Sequence, residues 1–360
     1  MKKLITVLLI FIVAANFAFS QGCVAIRNIA GFGQFAQLGY APSTDKWLMD
    51  INNRYFEAST LYAGKDKQPS DGLHLFEYTM NFEISRVLDK GWSIALDMPI
   101  AANACSSVLE HQSGFRHTTN AFGLGDIRFT TYKWLFNTNK VQKGNIQVGL
   151  GIKFPTGNYK VEDYFYYDPN NPSAKILAPV NVAIQLGDGG TGFTTELNGF
   201  YIFNKSISLY GNFFYLINPR DENNTPSLFP NPPANIAALV AATGTDVNSV
   251  PDTYTMRAGA DFSFNKLVVT TGLRFEGSPS HDLIGKNDGL RRVGHIFSAE
   301  PGVQYKFKKS FVYTFVTIPI DRATTKAPSD AQASAITGSN FTTPGHFANY
   351  VIFVGYTFTF

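Results

Sequence analysis

The chain has 360 residues and a formal net charge of +3, and 16% of its residues are charged, against about a quarter in ordinary domains. The charge is small and spread along the chain, which argues against a nucleic-acid partner. Aromatic residues make up 14%, with 32 Phe and 17 Tyr, and there are 31 Gly. This composition is typical of an exported all-β protein.

The first 20 residues, MKKLITVLLIFIVAANFAFS, predict a cleaved secretory signal peptide. Lys2 and Lys3 precede an apolar run, Leu4–Ala15, and a small-x-small cleavage site ends at Ser20. The run is too short to span a bilayer, and no later run approaches the roughly 20 apolar residues that a transmembrane helix needs. A lipoprotein signal places Leu or a similar residue three positions before its Cys, and Ser20 stands there, so lipidation of Cys23 is the lesser alternative.

Period-two alternation of apolar and polar residues predicts strands from residue 47 to the C-terminus. The first, 47–60, is weakly patterned, whereas Phe76–Ser85 and Trp92–Ile100 alternate cleanly around a hairpin turn at Asp89–Gly91. The pattern returns at 296–308. In the last strand every second residue is apolar or aromatic, which places on one face Tyr350, Ile352, Val354, Tyr356, Phe358 and Phe360.

Short and long connections alternate between the predicted strands. The short ones are Asp89–Gly91, Asn137–Asn145, Asn204–Ser206, Asn265–Lys266 and Lys308–Ser310. The long ones are 61–72, 101–121, 155–190, 219–252, 277–295 and 321–346. The alternation predicts an all-β fold: a transmembrane antiparallel up-and-down β-barrel over residues 47–360, with short periplasmic turns and long extracellular loops. Twelve strands are expected, and fourteen are the alternative.

A soluble β-sandwich is the competing fold, because its strands also alternate. Aromatic residues near the strand ends favour the barrel, since they form the interfacial girdle of such proteins. These residues are Phe136, Phe203, Phe264, Phe307 and Phe360. In a barrel, the apolar face of the last strand is expected to face lipid. Its end, with Tyr356, Phe358 and Phe360, resembles the signal by which barrel-assembly machinery recognises its substrates.

The polar faces of the strands carry ionisable residues that are expected to line the barrel lumen. They are Glu77, Glu83, Asp97, Asp126, Arg128, Lys153, Glu196, Arg257, Asp261, Arg274, Glu276, Glu300 and Lys306. One interpretation is a polar conduit whose charges set selectivity. The other is a salt-bridged lumen that holds the barrel rigid. Both signs of charge are mixed, which argues against strong ion selectivity.

The two cysteines, Cys23 and Cys105, are expected to form a disulfide in the oxidising periplasm. Cys105 is predicted just past the strand Trp92–Ile100, on the extracellular side. About 24 residues separate Cys23 from the first strand, and an extended chain of that length reaches roughly 80 Å. We therefore hypothesise that the segment 21–46 threads the lumen as a plug, stapled to the second long loop. The alternative is a disordered periplasmic tail with two free thiols.

No residues with a catalytic, cofactor-binding or metal-binding role are expected, and no enzyme activity. The histidines fall in or beside long loops, and His111 and His117 lie in the same one. No G-x-S-x-G nucleophile motif occurs in the sequence. The aromatic stretch 159–167 is expected at the lipid headgroup boundary or in contact with a ligand. The apolar piece Ile236–Ala242 is expected to form a short helix over the mouth.

Three glycine-rich motifs carry a family resemblance: GLGDIRF at 123–129, GIKFPTG at 151–157 and LGDGGTG at 186–192. In this order they resemble the outer-membrane barrels grouped as proteins of the MetA pathway of phenol degradation, which are distant relatives of fatty-acid and aromatic-hydrocarbon channels. The resemblance covers most of the chain after residue 45 and implies a barrel. The motifs themselves are interpreted as structural, because glycine permits close approach and turns. Asp126 and Arg128 share a face and are candidate lumenal partners.

The expected function is a channel or transporter for small, partly hydrophobic molecules, aromatic or lipid-like. The alternatives are a structural or adhesive barrel without transport, and a lipid hydrolase sited at the rim. The expected partners are outer-membrane lipid, the barrel-assembly machinery and a small hydrophobic ligand, with no cofactor and no nucleic acid. The expected location is the bacterial outer membrane.

Overall fold

The protein folds into a closed antiparallel β-barrel of twelve strands, as the alternation of connections predicts. The computed structural model describes residues 22–23, 47–69, 72–137, 143–230 and 232–360. Each strand of the barrel pairs with its neighbour in sequence, and the last strand pairs with the first to close the ring. The fourteen-strand alternative is therefore wrong.

Each strand has one exposed, mostly apolar face and one buried face, because successive side chains point to opposite sides of a sheet. Short breaks divide β4 and β10 into two segments each. The strands are β1 (Trp47–Ala63), β2 (His74–Val87), β3 (Trp92–Ser107), β4 (His117–Leu124 and Arg128–Trp134), β5 (Gly144–Lys153), β6 (Gly192–Ile202), β7 (Ile207–Ile217), β8 (Thr253–Phe264), β9 (Leu267–Ser278), β10 (Gly294–Ala299 and Gly302–Lys306), β11 (Ser310–Thr324) and β12 (Gly345–Thr359).

The two ends of the barrel carry different connections. At the turn end, five short turns join β2 to β3, β4 to β5, β6 to β7, β8 to β9 and β10 to β11. At the loop end lie the remaining connections, which include two helices, α1 (Ala234–Thr243) and α2 (Pro328–Thr337). The helix expected at Ile236–Ala242 is confirmed as α1, whereas the sequence pattern does not predict α2. No helix in the described part of the chain is long and apolar enough to cross a membrane.

β12 illustrates how the side chains divide between the two faces. Tyr350, Val354 and Tyr356 are exposed on the outer face, whereas Val351 and Phe353 are buried. Exposed apolar side chains recur on all twelve strands. Soluble monomers rarely expose so continuous an apolar surface. The outer face therefore has the character of a lipid-facing wall.

The seam between β1 and β12 closes the ring. Its ladder runs from Leu48 opposite Thr359 up to Tyr62 opposite Gly345, with irregularities near Ala58. The ends are fixed by two main-chain hydrogen bonds between Trp47 and Phe360, of 3.1 and 3.0 Å. The rings of these two residues stack with centroids 6.5 Å apart. The first and last residues of the barrel thus lie side by side at the turn end.

The wall is incomplete at the loop end in two places. Among the described residues, the upper segment of β4 pairs with β3 but not with β5, which ends at Lys153. β11 and β12 pair only up to Thr317 and Val351, although both strands continue beyond. At this second place, Gly22–Cys23 pairs in parallel with His346–Phe347 of β12. Residue 21 and residues 24–46 of the predicted plug lie outside the described residues, as does the predicted signal peptide, 1–20.

β3 is longer than predicted, which changes the position of Cys105. The strand runs to Ser107, so the loop to β4 spans 108–116 rather than 101–121. Cys105 therefore lies within β3 and not past its end. The sequence pattern stops at Ile100 because Pro99 and the small residues that follow hide the alternation.

Candidate functional site: the barrel interior and its loop-end constriction

A buried arginine joins two carboxylates inside the barrel. Arg128 on β4 lies 2.6 Å from Asp97 of β3 and 2.7 Å from Glu196 of β6. Tyr132 donates a hydrogen bond of 3.1 Å to the same glutamate. β6 is not a neighbour of β4, so these contacts pass over β5 and must run through the interior. Both carboxylates accept hydrogen bonds from the guanidinium, and such bonds are what buried charges require.

A second network spans the interior between β8 and β12. Arg257 bonds Glu300, and Arg274 lies 2.8 Å from Glu276 and 3.5 Å from Glu300. The guanidinium carbon of Arg257 is 5.2 Å from the ring centroid of Phe315 on β11. That of Arg274 is 5.6 Å from the ring of Phe353 on β12. These strands are three apart in the ring, so the cation–π contacts also cross the lumen.

β1 contributes interior polar residues that its weak pattern hid. Asp50 accepts hydrogen bonds from Thr357 and from Tyr313, the latter at 2.9 Å. Asn52 donates to the same tyrosine hydroxyl at 2.7 Å, and Arg54 donates to Glu77 at 3.3 Å. The sequence held part of this signal, because Met49, Ile51 and Tyr55 alternate with these polar residues, but Asn53 interrupts the alternation.

Gly355 of β12 makes room for the Tyr313 ring. A Cβ atom on Gly355 would lie 2.1 Å from Cζ of Tyr313, a distance that no side chain tolerates. Only glycine at this position lets the ring lie against β12 and reach Asp50.

The thirteen ionisable residues predicted for the lumen are all at least partly buried. Ten have relative exposures of 7% or less: Glu77, Glu83, Asp97, Arg128, Lys153, Glu196, Arg257, Arg274, Glu276 and Glu300. The other three, Asp126, Asp261 and Lys306, are half-buried. Asp261 accepts a hydrogen bond of 2.6 Å from Thr270 on the neighbouring strand β9. Their role in a transport path stays a prediction.

An apolar surface lies inside the barrel beside these ion networks. It is one contact cluster, built from β1–β4, β11 and β12. Its members on the strands are Phe56, Ala58, Leu73, Leu75, Ala101, Cys105, Ala121, Phe311, Tyr313, Phe315, Ala348, Val351 and Phe353, with Leu73 just before β2. We call this set the apolar stripe. It extends from Phe311 near the turn end to Leu75 near the loop end.

Part of the loop between β5 and β6 folds onto the apolar stripe. In the segment 180–188, which we call the constriction segment, Val180, Ala183, Ile184 and Leu186 belong to the same buried cluster. Asn103 of β3 donates a hydrogen bond of 3.2 Å to the Ile184 carbonyl. An apolar segment packed on inward-facing strand residues occupies the loop half of the lumen and narrows it.

The three glycine-rich motifs converge where the constriction segment meets the wall. The Asp126 carboxylate accepts hydrogen bonds from the main-chain N–H groups of Gly157, at 3.0 Å, and Asp188, at 3.2 Å. Lys153 lies 3.4 Å from Asp126 and also pairs with Asp188. A Cβ on Gly187 would lie 2.4 Å from Asp126, so glycine is needed for this approach. We call Asp126, Lys153 and Asp188 the latch.

The latch corrects one expectation from the sequence. Asp126 and Arg128 are not partners, because the two residues bond different groups. The chain breaks between the two segments of β4 at 125–127, so alternation does not carry across it. Asp188 was missed because it lies in a loop, although its Gly-Asp-Gly context resembles that of Asp126.

Loop residues cover the barrel above the constriction segment. Phe165 and Phe229 form a small apolar cluster with Leu109 and Ile236, among others. Beneath it lies a cavity of about 20 Å³, lined in part by Glu110, enough for one water molecule. Burial raises the pKa of the Glu110 carboxyl, although hydrogen bonds from Asn181 and Cys105 oppose the shift.

The predicted disulfide is not seen among the described residues. The buried Cys105 thiol donates a hydrogen bond of 3.2 Å to Glu110. The side chain of Cys23 lies outside the described residues, so its pairing with Cys105 stays a prediction. The backbone of Cys23 pairs with Phe347 of β12.

Two histidines come together on the loop hairpin formed by Glu162–Tyr166 and Lys175–Pro179. The rings of His111 and His117 are 5.1 Å apart, and His117 stacks on Tyr166 at 4.0 Å. The Nδ1 atom of His111 accepts a hydrogen bond of 3.2 Å from the Tyr166 N–H. Burial, with a contribution from His117, lowers the pKa of His111 to about 4. No group of three or more metal-ligating side chains occurs in the described part of the chain.

Comparison with known proteins supports the fold. No protein-family model and no curated protein matches the sequence. The COG4313 outer membrane channel from Pseudomonas putida F1 aligns with a TM-score of 0.60 at 11% identity, covering 89% of this chain and 97% of that chain. The CymD monoaromatic hydrocarbon channel aligns with a TM-score of 0.44 at 10% identity, over 94% of both chains. The KdgM porin aligns at 0.39 and 8%, over 86% of this chain and 99% of that chain. The protein shares the barrel fold of the Pseudomonas putida channel.

Proposed function

We propose that the protein is an outer-membrane channel for small, partly hydrophobic molecules, aromatic or lipid-like. The apolar stripe is the observation that carries this proposal. Lumens of general porins are water-filled and polar. Here a continuous set of aromatic and aliphatic side chains runs inside the wall from Phe311 to Leu75. Such a surface favours solutes with apolar surface, because moving that surface out of water lowers the free energy.

The arginines beside the apolar stripe favour solutes that carry an aromatic ring. Arg54, Arg257 and Arg274 each lie over a phenylalanine ring of the stripe, at 5.2, 5.2 and 5.6 Å from the centroids. A planar aromatic solute can replace such a ring beneath a guanidinium without exposing the charge to an apolar surface. An aliphatic solute cannot make this cation–π contact, so we expect the channel to prefer aromatic solutes to aliphatic ones.

The route begins at the loop cover, passes the constriction segment and continues along the apolar stripe. Contacts that cross the lumen, such as Arg257 over Phe315, narrow the lower part. A solute therefore either displaces these contacts or leaves sideways where β4 lacks a β5 partner. The segment 21–46 stays a candidate plug. Its support is that Gly22–Cys23 pairs near the loop end while Trp47 lies at the turn end.

A reversible cross-link tests whether the constriction segment controls the route. Asn103→Cys and Ile184→Cys replace two residues in hydrogen-bond contact, in a background with Cys23→Ser and Cys105→Ser. Uptake of N-phenylnaphthylamine, an uncharged aromatic that fluoresces in phospholipid, is followed in cells with an intact lipopolysaccharide layer. We expect faster uptake than in cells without the protein, loss of that gain on cross-linking, and recovery with a reductant.

The single variant Asn103→Cys is the matched control and should transport in both redox states. Uptake no faster than in cells lacking the protein, for any small aromatic solute tried, would exclude the channel and favour a structural or adhesive barrel. Uptake that persists in the cross-linked protein would place the route elsewhere.

A further inference from the structure

The turns at the turn end repeat one sequence pattern, an exposed aromatic residue followed by Asn or Lys and then by Lys. It reads Phe203-Asn204-Lys205, Phe264-Asn265-Lys266 and Phe307-Lys308-Lys309, and Phe136-Asn137 precedes Lys140 and Lys143. The four phenylalanines are 53 to 69% exposed. The fifth turn, Leu88-Asp89-Lys90, has an aliphatic residue in the aromatic position.

In two of these turns the asparagine fixes the turn geometry and places the lysine that follows it at the tip. The Asn204 side chain accepts hydrogen bonds from the N–H groups of Ser206, at 2.8 Å, and Ile207, at 2.9 Å. Asn265 adopts a φ of 58°, the left-handed conformation that a tight two-residue hairpin requires. These local bonds fix the turn, and the next residue, Lys205 or Lys266, projects into solvent.

The turn lysines leave the turn end with an unbalanced positive charge. Lys90, Lys143, Lys205, Lys266 and Lys308 are exposed, and among the described residues none of these five has a carboxylate within ion-pair distance. The five turns contain one acidic residue, Asp89. We call these five residues the lysine ring, because one occurs in each turn around the perimeter.

Tryptophans accompany the lysine ring. All three, Trp47, Trp92 and Trp134, stand at the turn-end limits of their strands. Arg86 lies 5.0 Å from the Trp47 ring, and Lys133 lies 4.9 Å from the Trp92 ring. Tryptophan prefers the boundary between hydrocarbon and headgroups, so it fixes the depth of this plane.

We propose that the lysine ring binds the phosphate headgroups of anionic phospholipids in the membrane leaflet at the turn end. A membrane leaflet contacts the whole perimeter of the barrel at one depth, and the lysine ring is distributed in the same way. An acidic protein partner would instead contact one side of the barrel, so its binding site would need lysines clustered there. The exposed aromatic or aliphatic residue of each turn lies on the acyl side, and the lysine reaches the phosphate. The inference rests on the membrane placement proposed above and does not depend on transport.

Lipid selection by the purified full-length protein tests this inference. The barrel is reconstituted in vesicles of phosphatidylcholine and phosphatidylglycerol in equal amounts, and the lipids that remain bound after gentle detergent extraction are counted by native mass spectrometry. We expect about fivefold preference for phosphatidylglycerol at each lysine at low salt, and a weaker one at high salt. Replacing all five lysines of the ring with Gln should bring the preference close to one, and replacing them with Arg should retain it.

The matched control removes five exposed lysines from the loop end, namely Lys65, Lys67, Lys160, Lys286 and Lys326, and should leave the preference unchanged. Folding is checked by the shift of the gel band on heating. If the variant with all five Lys→Gln substitutions does not fold, the five single Lys→Gln variants make the same test. Each single variant should lose one bound anionic lipid. Undiminished preference in the Gln variants, or equal loss in the loop-end control, would overturn the inference. Neither result would bear on uptake of aromatic solutes.

Discussion

Arg128 lies in the interior with Asp97 and Glu196, and all three side chains are at most 4% exposed. The net stability that such a network gains from its attractions is small, whereas removing one member destabilises the fold strongly. Without the guanidinium, two carboxylates remain buried near each other without a counter-charge. The exposed pair of Lys65 and Asp321, 3.7 Å apart, has no such dependence because water solvates both groups.

Arg128→Met should therefore destabilise the barrel by about 3–5 kcal/mol in free energy of unfolding. Lys65→Met, which breaks the exposed pair, should cost at most about 1 kcal/mol. Guanidinium unfolding in detergent micelles, followed by the folded gel band, measures both. Similar losses in the two variants would show that the Arg128 network is not shielded from water.

His111 ties the loop between β3 and β4 to the hairpin through its bond from the Tyr166 N–H. Burial lowers the pKa of His111 from 6.5 to about 4, so the folded loop favours the neutral form of the imidazole. His117 lowers this pKa further and Asp163 opposes it. Because the folded pKa lies below the unfolded one, this contribution to loop stability is complete above pH 6.5 and is lost as the pH falls towards 4.

Hydrogen exchange at the Tyr166 amide should report this loss. Its protection factor, relative to a barrel amide such as that of Tyr78, is expected to fall across that pH range, since a protonated Nδ1 cannot accept the bond. His111→Phe keeps an aromatic ring in the stack but should show lower protection with no pH dependence. A wild-type protection factor that is constant from pH 7 to pH 4 would contradict the assignment.

At the scale of elements, the strands follow from local sequence and the folded loops do not. Period-two patterning specified all five turns and the lipid-facing side of β12, because each strand must offer lipid an apolar face. The pattern did not predict the end of β3, where the residues are small, or the break in β4, because the alternation of apolar and polar residues is lost at both places. The inward fold of the constriction segment depends on contacts such as Asn103 with Ile184, which lie far apart in sequence. No local pattern encodes such contacts.

The C-terminal strand carries the next prediction. Tyr356, Phe358 and Phe360 stack in succession on the outer face, with centroids 5.9 and 5.4 Å apart. We propose that this exposed row is what the barrel-assembly machinery binds. Deletion of Phe360, or Tyr356→Asp, should leave the protein in the periplasm, whereas Phe264→Ala, at a still more exposed aromatic residue beside the turn between β8 and β9, should insert normally. Fractionation of cells measures this, and insertion of both C-terminal variants would refute it.

At the scale of the whole molecule, the barrel is asymmetric along its axis. One end has short basic turns and tryptophans, and the other has folded loops with both charges. We propose that the loop end faces the cell exterior. In a background with Cys23→Ser and Cys105→Ser, Phe115→Cys at the loop end should react with a membrane-impermeant maleimide in intact cells. Lys205→Cys should react only after the outer membrane is opened, and the reverse result would invert the orientation.

The seam between β1 and β12 has a consequence for when the barrel can form. Leu48 and Thr359 are opposite each other, so this contact joins the extremes of the folded chain. Contacts between residues so distant in sequence form slowly, because the intervening chain loses much of its conformational freedom. β12 also follows the other eleven strands in the chain, so it is the last of the twelve to be synthesised. Export of all twelve strands must therefore precede closure, and until then β1 lacks the partner that covers its edge, so the chain needs protection from aggregation.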